Sequence, residues 1–244
     1  MCRPVVARLT DKVSATTEPA GGDRLTGLRE RKKRRTRDAL VRTAHELFVE
    51  RGYERTTVDE IAESVNVSQR TFFRYFAGKE EVALTLQRMV QERFLTAVAE
   101  RPERETPMRV LGNALDTAWD GIGDAIREVV PIELYMRMWQ VIETTPALVA
   151  VHLRHCAEQE DRLVAEIARR AGVDPDDDPR PRVLVAAFSG VIQLAGRRWA
   201  ADSGVTVEGA RRLFRGYLEQ LGPALAEEWE PYRGSAGDTR PVRR

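Results

Sequence analysis

The sequence predicts an all-α protein: a three-helix helix-turn-helix head followed by a larger helical domain, about nine helices in all. Three observations predict it. Apolar residues recur at spacings of three and four along most of the chain, no alternating strand pattern competes, and two short capped helices meet at one small turn between Thr57 and Phe76.

At 244 residues the chain has room for more than one core. The expected division is a flexible tail over residues 1–28, a helix-turn-helix domain over 29–78, a helical domain over 79–230 and a second tail over 231–244. The first tail holds Pro4, Pro19, Gly21 and Gly22 without sustained periodicity.

From Arg31 the pattern turns helical, with Leu40, Ala44, Leu47 and Phe48 on one face and Gly52 as a left-handed C-terminal cap. Thr57 followed by Glu60 is a capping box, and Val58, Ile61, Ala62 and Val65 line one side of the short second helix. Asn66 tolerates the positive φ of a tight turn, after which Ser68 caps a third helix that turns Phe72 and Phe76 inward. Gly78 interrupts. A long helix then carries Val82, Leu86, Met89, Val90, Phe94 and Ala97 and ends near Pro102.

Five further stripes follow. Met108, Leu111, Leu115, Ala118, Trp119 and Ile122 form the first, and Ile132, Tyr135, Met136, Trp139 and Ile142 the second, which Pro131 starts or kinks. Pro146 opens the third, with Val149, Leu153, Cys156, Leu163, Val164 and Ile167. An acidic, proline-rich loop from Asp174 to Pro181 separates it from Leu184, Phe188, Val191, Ile192, Ala195 and Trp199. Ala210, Phe214, Tyr217, Leu218, Leu221 and Leu225 make the last.

The net charge is only +1, yet Arg29, Arg31, Lys32, Lys33, Arg34, Arg35 and Arg37 crowd one short stretch. Two cysteines, Cys2 and Cys156, build neither a disulfide framework nor a paired-cysteine zinc site, which favours a reducing compartment. With no apolar run of membrane-spanning length, a cytoplasmic protein without membrane contact is expected. No spacing specifies a nucleophile with its base or a carboxylate pair, so neither turnover nor a cofactor is expected. His152, His155 and Glu158 share a helix, but no further donor stands at metal-ligand spacing, and no metal site is assigned.

A helix-turn-helix works because the N-terminal residues of its second helix reach base edges in the major groove. Here those residues are Ser68, Gln69, Arg70 and Thr71. Gln pairs bidentately with adenine and Arg with guanine, so Gln69 and Arg70 are the candidate base readers; the Thr71 methyl suits a thymine methyl. Arg74, Tyr75, Lys79 and Thr57 suit phosphate oxygens, and the basic run, Arg34 and Arg35 included, suits the DNA backbone or a minor groove.

The segments Thr56-Thr57-Val58-Asp59-Glu60-Ile61-Ala62, Val67-Ser68-Gln69-Arg70-Thr71-Phe72-Phe73-Arg74-Tyr75-Phe76 and Lys79-Glu80 resemble the TetR family of transcriptional regulators, over roughly Arg34 to Leu86. Asn66 stands where the family usually has Gly. Phe73 takes a contact position often held by Tyr, without the hydroxyl, and Arg74 one often held by His or Tyr. The resemblance implies that residues 79–230 form a ligand-binding and dimerisation domain: a homodimer paired through its last two helices, a palindromic operator on double-stranded DNA, and a helix from Lys79 that links a small-molecule pocket to the head. The basic entry from Arg29 to Arg37 also resembles an actinobacterial subgroup linked to acyl-CoA sensing and mycofactocin metabolism, which implies an acyl-CoA-like effector, while the aromatic and sulfur side chains Trp119, Met136, Trp139, Phe188 and Trp199 favour a hydrophobic one. Trp119, Met136, Trp139, His152, Phe188, Ile192 and Trp199 are the candidate pocket residues. Arg197 and Arg198 would suit an anionic head group, although arginines on a late helix more often face solvent.

Overall fold

A computed structural model describes residues 22–200 and 206–224, and among them every regular element is a helix. In chain order these are α1 (Gly22–Arg51), α2 (Val58–Ser64), α3 (Gln69–Phe73), α4 (Lys79–Ala83), α5 (Thr85–Ala99), α6 (Pro107–Trp119), α7 (Ile122–Arg127), α8 (Ile132–Thr144), α9 (Pro146–Ala171), α10 (Arg180–Ala200), α11 (Val207–Glu219) and α12 (Leu221–Ala224). The expected tails over residues 1–21 and 231–244 lie outside the described residues, whereas Gly22–Leu28 begin α1. The chain divides into two compact units, residues 1–37 and 38–244.

In the first unit the described segment is the N-terminal part of α1, where Arg29, Arg31, Lys32, Lys33, Arg34, Arg35 and Arg37 are all exposed. Seven like charges on one helix repel each other, and exposure to water and salt lets the helix tolerate them.

The second unit is built around two clusters of buried residues. One starts from Leu40, Phe48, Ile61, Phe72 and Phe76 and continues through Val82 and Leu86 to Ile126, Met138 and Ile142. The head therefore shares its core with α7 and α8. The other gathers Val98, Val110, Leu111, Leu163, Ile167 and Phe188 from α5, α6, α9 and α10.

Three expected helices are each broken once, the second and third of them at or just before glycine or proline. The long helix after Gly78 bends at Leu84, whose ψ is 6°; hydrogen bonds Leu84 N to Glu80 O (3.1 Å) and Arg88 N to Leu84 O (3.0 Å) carry through, so the path is nearly continuous. Gly121 adopts φ 69°, a conformation that costs a side chain dearly, and splits α6 from α7. The final stripe breaks after Glu219, ahead of Gly222 and Pro223. At the far end of α5, the buried guanidinium of Arg170 on α9 donates to the carbonyls of Val98 (2.9 Å) and Arg101 (3.0 Å), which satisfies orphan acceptors of the helix terminus.

Candidate nucleic-acid interface and ligand cavity

Both helices of the motif are fixed by their caps. The Glu60 amide donates to Thr57 Oγ1 (3.2 Å) while the Thr57 amide donates to Glu60 Oε2 (2.8 Å), a closed capping box. The Thr57 amide and hydroxyl, then Arg51, stabilise the Glu60 carboxylate and lower its pKa. At the end of α2 the Val67 amide donates to Ala62 O (3.0 Å) and the Asn66 amide to Glu63 O (2.9 Å), a Schellman closure with Asn66 in the left-handed position at φ 55°. Ser68 Oγ then accepts from the Thr71 amide at 3.2 Å and starts α3.

Phe72 and Phe76 are buried with ring centroids 5.6 Å apart, which anchors α3 against the head and turns its other face outward. Ser68, Gln69, Arg70, Phe73 and Arg74 are exposed on that side, as is Thr57, while Thr71 and Tyr75 are half-buried. Arg74 lies 5.2 Å from the centre of the Tyr75 ring. Phe73 is 50% exposed, with its ring perpendicular to that of Phe72 at a centroid distance of 5.6 Å.

Lys79 is placed differently from the phosphate contact expected of it. Its ammonium donates to the carbonyls of Tyr53 (3.0 Å) and Thr56 (3.3 Å) and lies 4.2 Å from the Tyr53 ring centre. Two of its three N–H donors therefore clasp the turn after α1. The Tyr53 hydroxyl in turn donates to Glu80 at 2.7 Å; burial, then Glu80, pushes its pKa up.

A cavity of about 280 Å³ lies in the helical body. Of the residues expected around a pocket, Trp119, Trp139, His152, Phe188, Ile192 and Trp199 line it. Met136 does not: one turn of α8 cannot point all its side chains inward, and Met136 opens onto a neighbouring depression with Pro131 and Arg137. Arg197 reaches the cavity wall, whereas Arg198 does not line it. His152 packs edge-on against Trp139 with centroids 5.6 Å apart, and burial lowers its pKa. Cys156 stands 3.7 Å from both His152 and Gln91, but burial pushes its thiol up to about 11, so it is protonated and unreactive at neutral pH.

Sequence reasoning passed over Gln87, Phe94, Glu143 and Gln193, which also line the cavity. Gln87 carried a signal: it occupies a position in the row Ala83, Gln87, Val90, Phe94 where an apolar residue belongs. Among the described residues no group of three metal-binding side chains occurs, and no helix is long and apolar enough to cross a membrane.

Residues 40–86 match the bacterial regulatory proteins of the tetR family, and residues 120–226 match the MftR C-terminal domain. The chain is 44% identical over 220 residues to the HTH-type transcriptional regulator TcmR of Streptomyces glaucescens, a match that covers 90% of this chain and 96% of TcmR. It is 25% identical over 180 residues to the MftR protein of Mycobacterium tuberculosis, covering 72% of this chain and 86% of MftR. Among solved structures, a TetR-family transcriptional regulator from Syntrophomonas wolfei shares the fold at a TM-score of 0.55, with 16% identity, over 80% of this chain and 98% of that one. With its capped motif, all-helical body and these matches, the chain belongs to the TetR family of bacterial transcriptional regulators, which are DNA-binding proteins and not enzymes.

Proposed function

We propose that the protein is a cytoplasmic homodimeric repressor that reads a palindromic operator and releases it when a small hydrophobic effector fills the cavity. One observation carries this reading: α5, which follows the head through α4, supplies Gln87, Val90 and Phe94 to the cavity wall. An occupant that displaces α5 displaces the head with it, and a differential fit to the two positions is what lets a ligand shift operator affinity.

Gln69 and Arg70 read bases in this scheme, with Ser68 and Thr71 beside them. Thr57, Phe73, Arg74 and Tyr75 meet the backbone, and Arg34 and Arg35 add positive charge toward phosphate. Dimerisation through α10 and α11 is supported by a row on α10, exposed at Val183, Gly190 and Leu194 and half-buried at Ala187, whose members recur at spacings of four, three and four. Val183 is 65% exposed and Leu194 50%, more apolar surface than a solvent-facing helix usually shows. Twofold symmetry would set the two α3 helices about 34–36 Å apart, one turn of DNA.

The test is selection of binding sites from a random duplex pool by the full chain, with sedimentation to give the oligomeric state. A palindrome bound by a dimer is expected, with Gln69→Ala and Arg70→Ala each losing about 1–3 kcal/mol at one base position. Arg74→Ala is expected to weaken all sequences alike and to reduce the salt slope by about 1. A monomer, or selection unaffected by both alanines, overturns the reading.

A further inference from the structure

We propose that the cavity takes an uncharged, ring-bearing, oxygenated molecule, one that offers hydrogen-bond acceptors to Trp119, Trp139 and Trp199 and both an acceptor and a donor to the Gln87 amide, and that it does not take a coenzyme A thioester. The inference rests on the cavity being the effector site.

Among the described residues, six buried side-chain polar atoms have no hydrogen-bond partner in the protein. Five of them, Gln87 Nε2 and Oε1 and the indole Nε1 of Trp119, Trp139 and Trp199, belong to side chains that line this one cavity. Gln87 is only 2% exposed. Each such group is destabilising when left unpaired, so their concentration at one place points to a partner that arrives with the ligand.

The chemistry of the atoms defines that partner. An indole N–H only donates and therefore requires acceptors, whereas a primary amide requires one of each kind. Aromatic faces and edges build the walls: Phe94 stacks on Phe188 at an interplanar angle of 11°, and Trp139 meets Trp199 edge-on at 6.0 Å. Flat walls of this kind favour rings over a flexible acyl chain, which loses more rotamer freedom on binding. Charge decides against coenzyme A. Glu143 and Glu160 oppose the single guanidinium of Arg197 in the cavity lining, so a cluster of phosphates would meet more negative charge than positive.

The full chain, without DNA, is titrated with 2-hydroxy-9-fluorenone, with fluorene, which has the same rings and no oxygen, and with octanoyl-coenzyme A, followed by tryptophan emission and calorimetry. Binding of the hydroxyketone about tenfold tighter than fluorene is expected, with no binding of octanoyl-coenzyme A. Gln87→Leu and, separately, Trp139→Phe should shrink that preference severalfold while fluorene still binds, which also certifies the fold of each variant. Equal binding of fluorene, a preference that survives both substitutions, no binding of the hydroxyketone, or tighter binding of octanoyl-coenzyme A overturns the inference. Operator release by octanoyl-coenzyme A would sink this inference and leave the repressor standing; failure to select any operator would sink the repressor and leave the binding preference standing.

Discussion

Nε of Arg42 on α1 donates to the carbonyl of Val129 at 2.9 Å, a bond between residues 87 positions apart in the chain. Val129 lies between Ile126 and Ile132, and both of those isoleucines line the cavity. One hydrogen bond thus joins the helix that carries the head to the segment that closes the ligand space. Arg42→Met keeps the aliphatic stem and removes the bond. We expect operator and effector affinities to stay nearly unchanged, the effector concentration for release to rise severalfold and stability to fall by about 1 kcal/mol. Fluorescence anisotropy on labelled operator reads the release; an unchanged release curve refutes the coupling.

Lys79 separates two roles that a basic residue near DNA can have. Its ammonium is engaged by the Tyr53 and Thr56 carbonyls, so Lys79→Met should lower the unfolding free energy by about 1 kcal/mol, since the Thr56 carbonyl loses its donor while the Tyr53 carbonyl keeps the Thr56 amide at 3.3 Å. The salt dependence of operator binding should keep its slope. A slope reduced by about 1 with stability intact would return Lys79 to the phosphate backbone.

Asn66 holds φ 55° as the left-handed residue of the Schellman closure. Asn66→Gly should leave stability within about 0.5 kcal/mol of the parent, because Gly reaches that conformation freely but loses more entropy on folding. Asn66→Val should cost about 1–2 kcal/mol, since a β-branched side chain crowds the following carbonyl there. Thermal unfolding of the two variants gives the answer, and equal melting temperatures would contradict the closure.

His45 is fully buried, with Nε2 3.2 Å from the Val82 carbonyl, and burial lowers its pKa to about 4. Folding therefore favours the neutral ring. The stabilisation it brings is complete above the unfolded value near 6.5 and is lost as pH falls from there toward 4. Denaturant unfolding from pH 7 down to pH 4 should show a loss on the order of 3 kcal/mol from this group. His45→Leu should flatten the upper part of that window, before the carboxylates begin to titrate; a profile of unchanged steepness would exclude His45 as its source.

The helix-turn-helix could be read from the chain because its signals are short in range. Thr57 and Glu60, Asn66, Ser68 and the pair Phe72 and Phe76 act within one or two turns of each other, and each took the local conformation its chemistry favours. The cavity was harder to read. Six of the seven proposed residues line it, yet aromatic stripes on separate helices look alike whether they close a core or wall a space. Met136 and Trp139 sit on the same helix with the same apolar character, and only the rotation of α8 against its neighbours sends one of them away from the cavity.

Local propensity, capping and periodicity thus specified an all-helical chain, the motif and the outward face of Gln69 and Arg70. Packing between distant segments settled what those rules leave open: the use of the Lys79 charge as a clasp, the bond from Arg42 to Val129 and the burial of Gln87 beside a cavity. The reason is physical. A cap satisfies its own helix end a few residues away, whereas a buried charge or amide takes its partner, or lacks one, according to which remote element happens to be pressed against it.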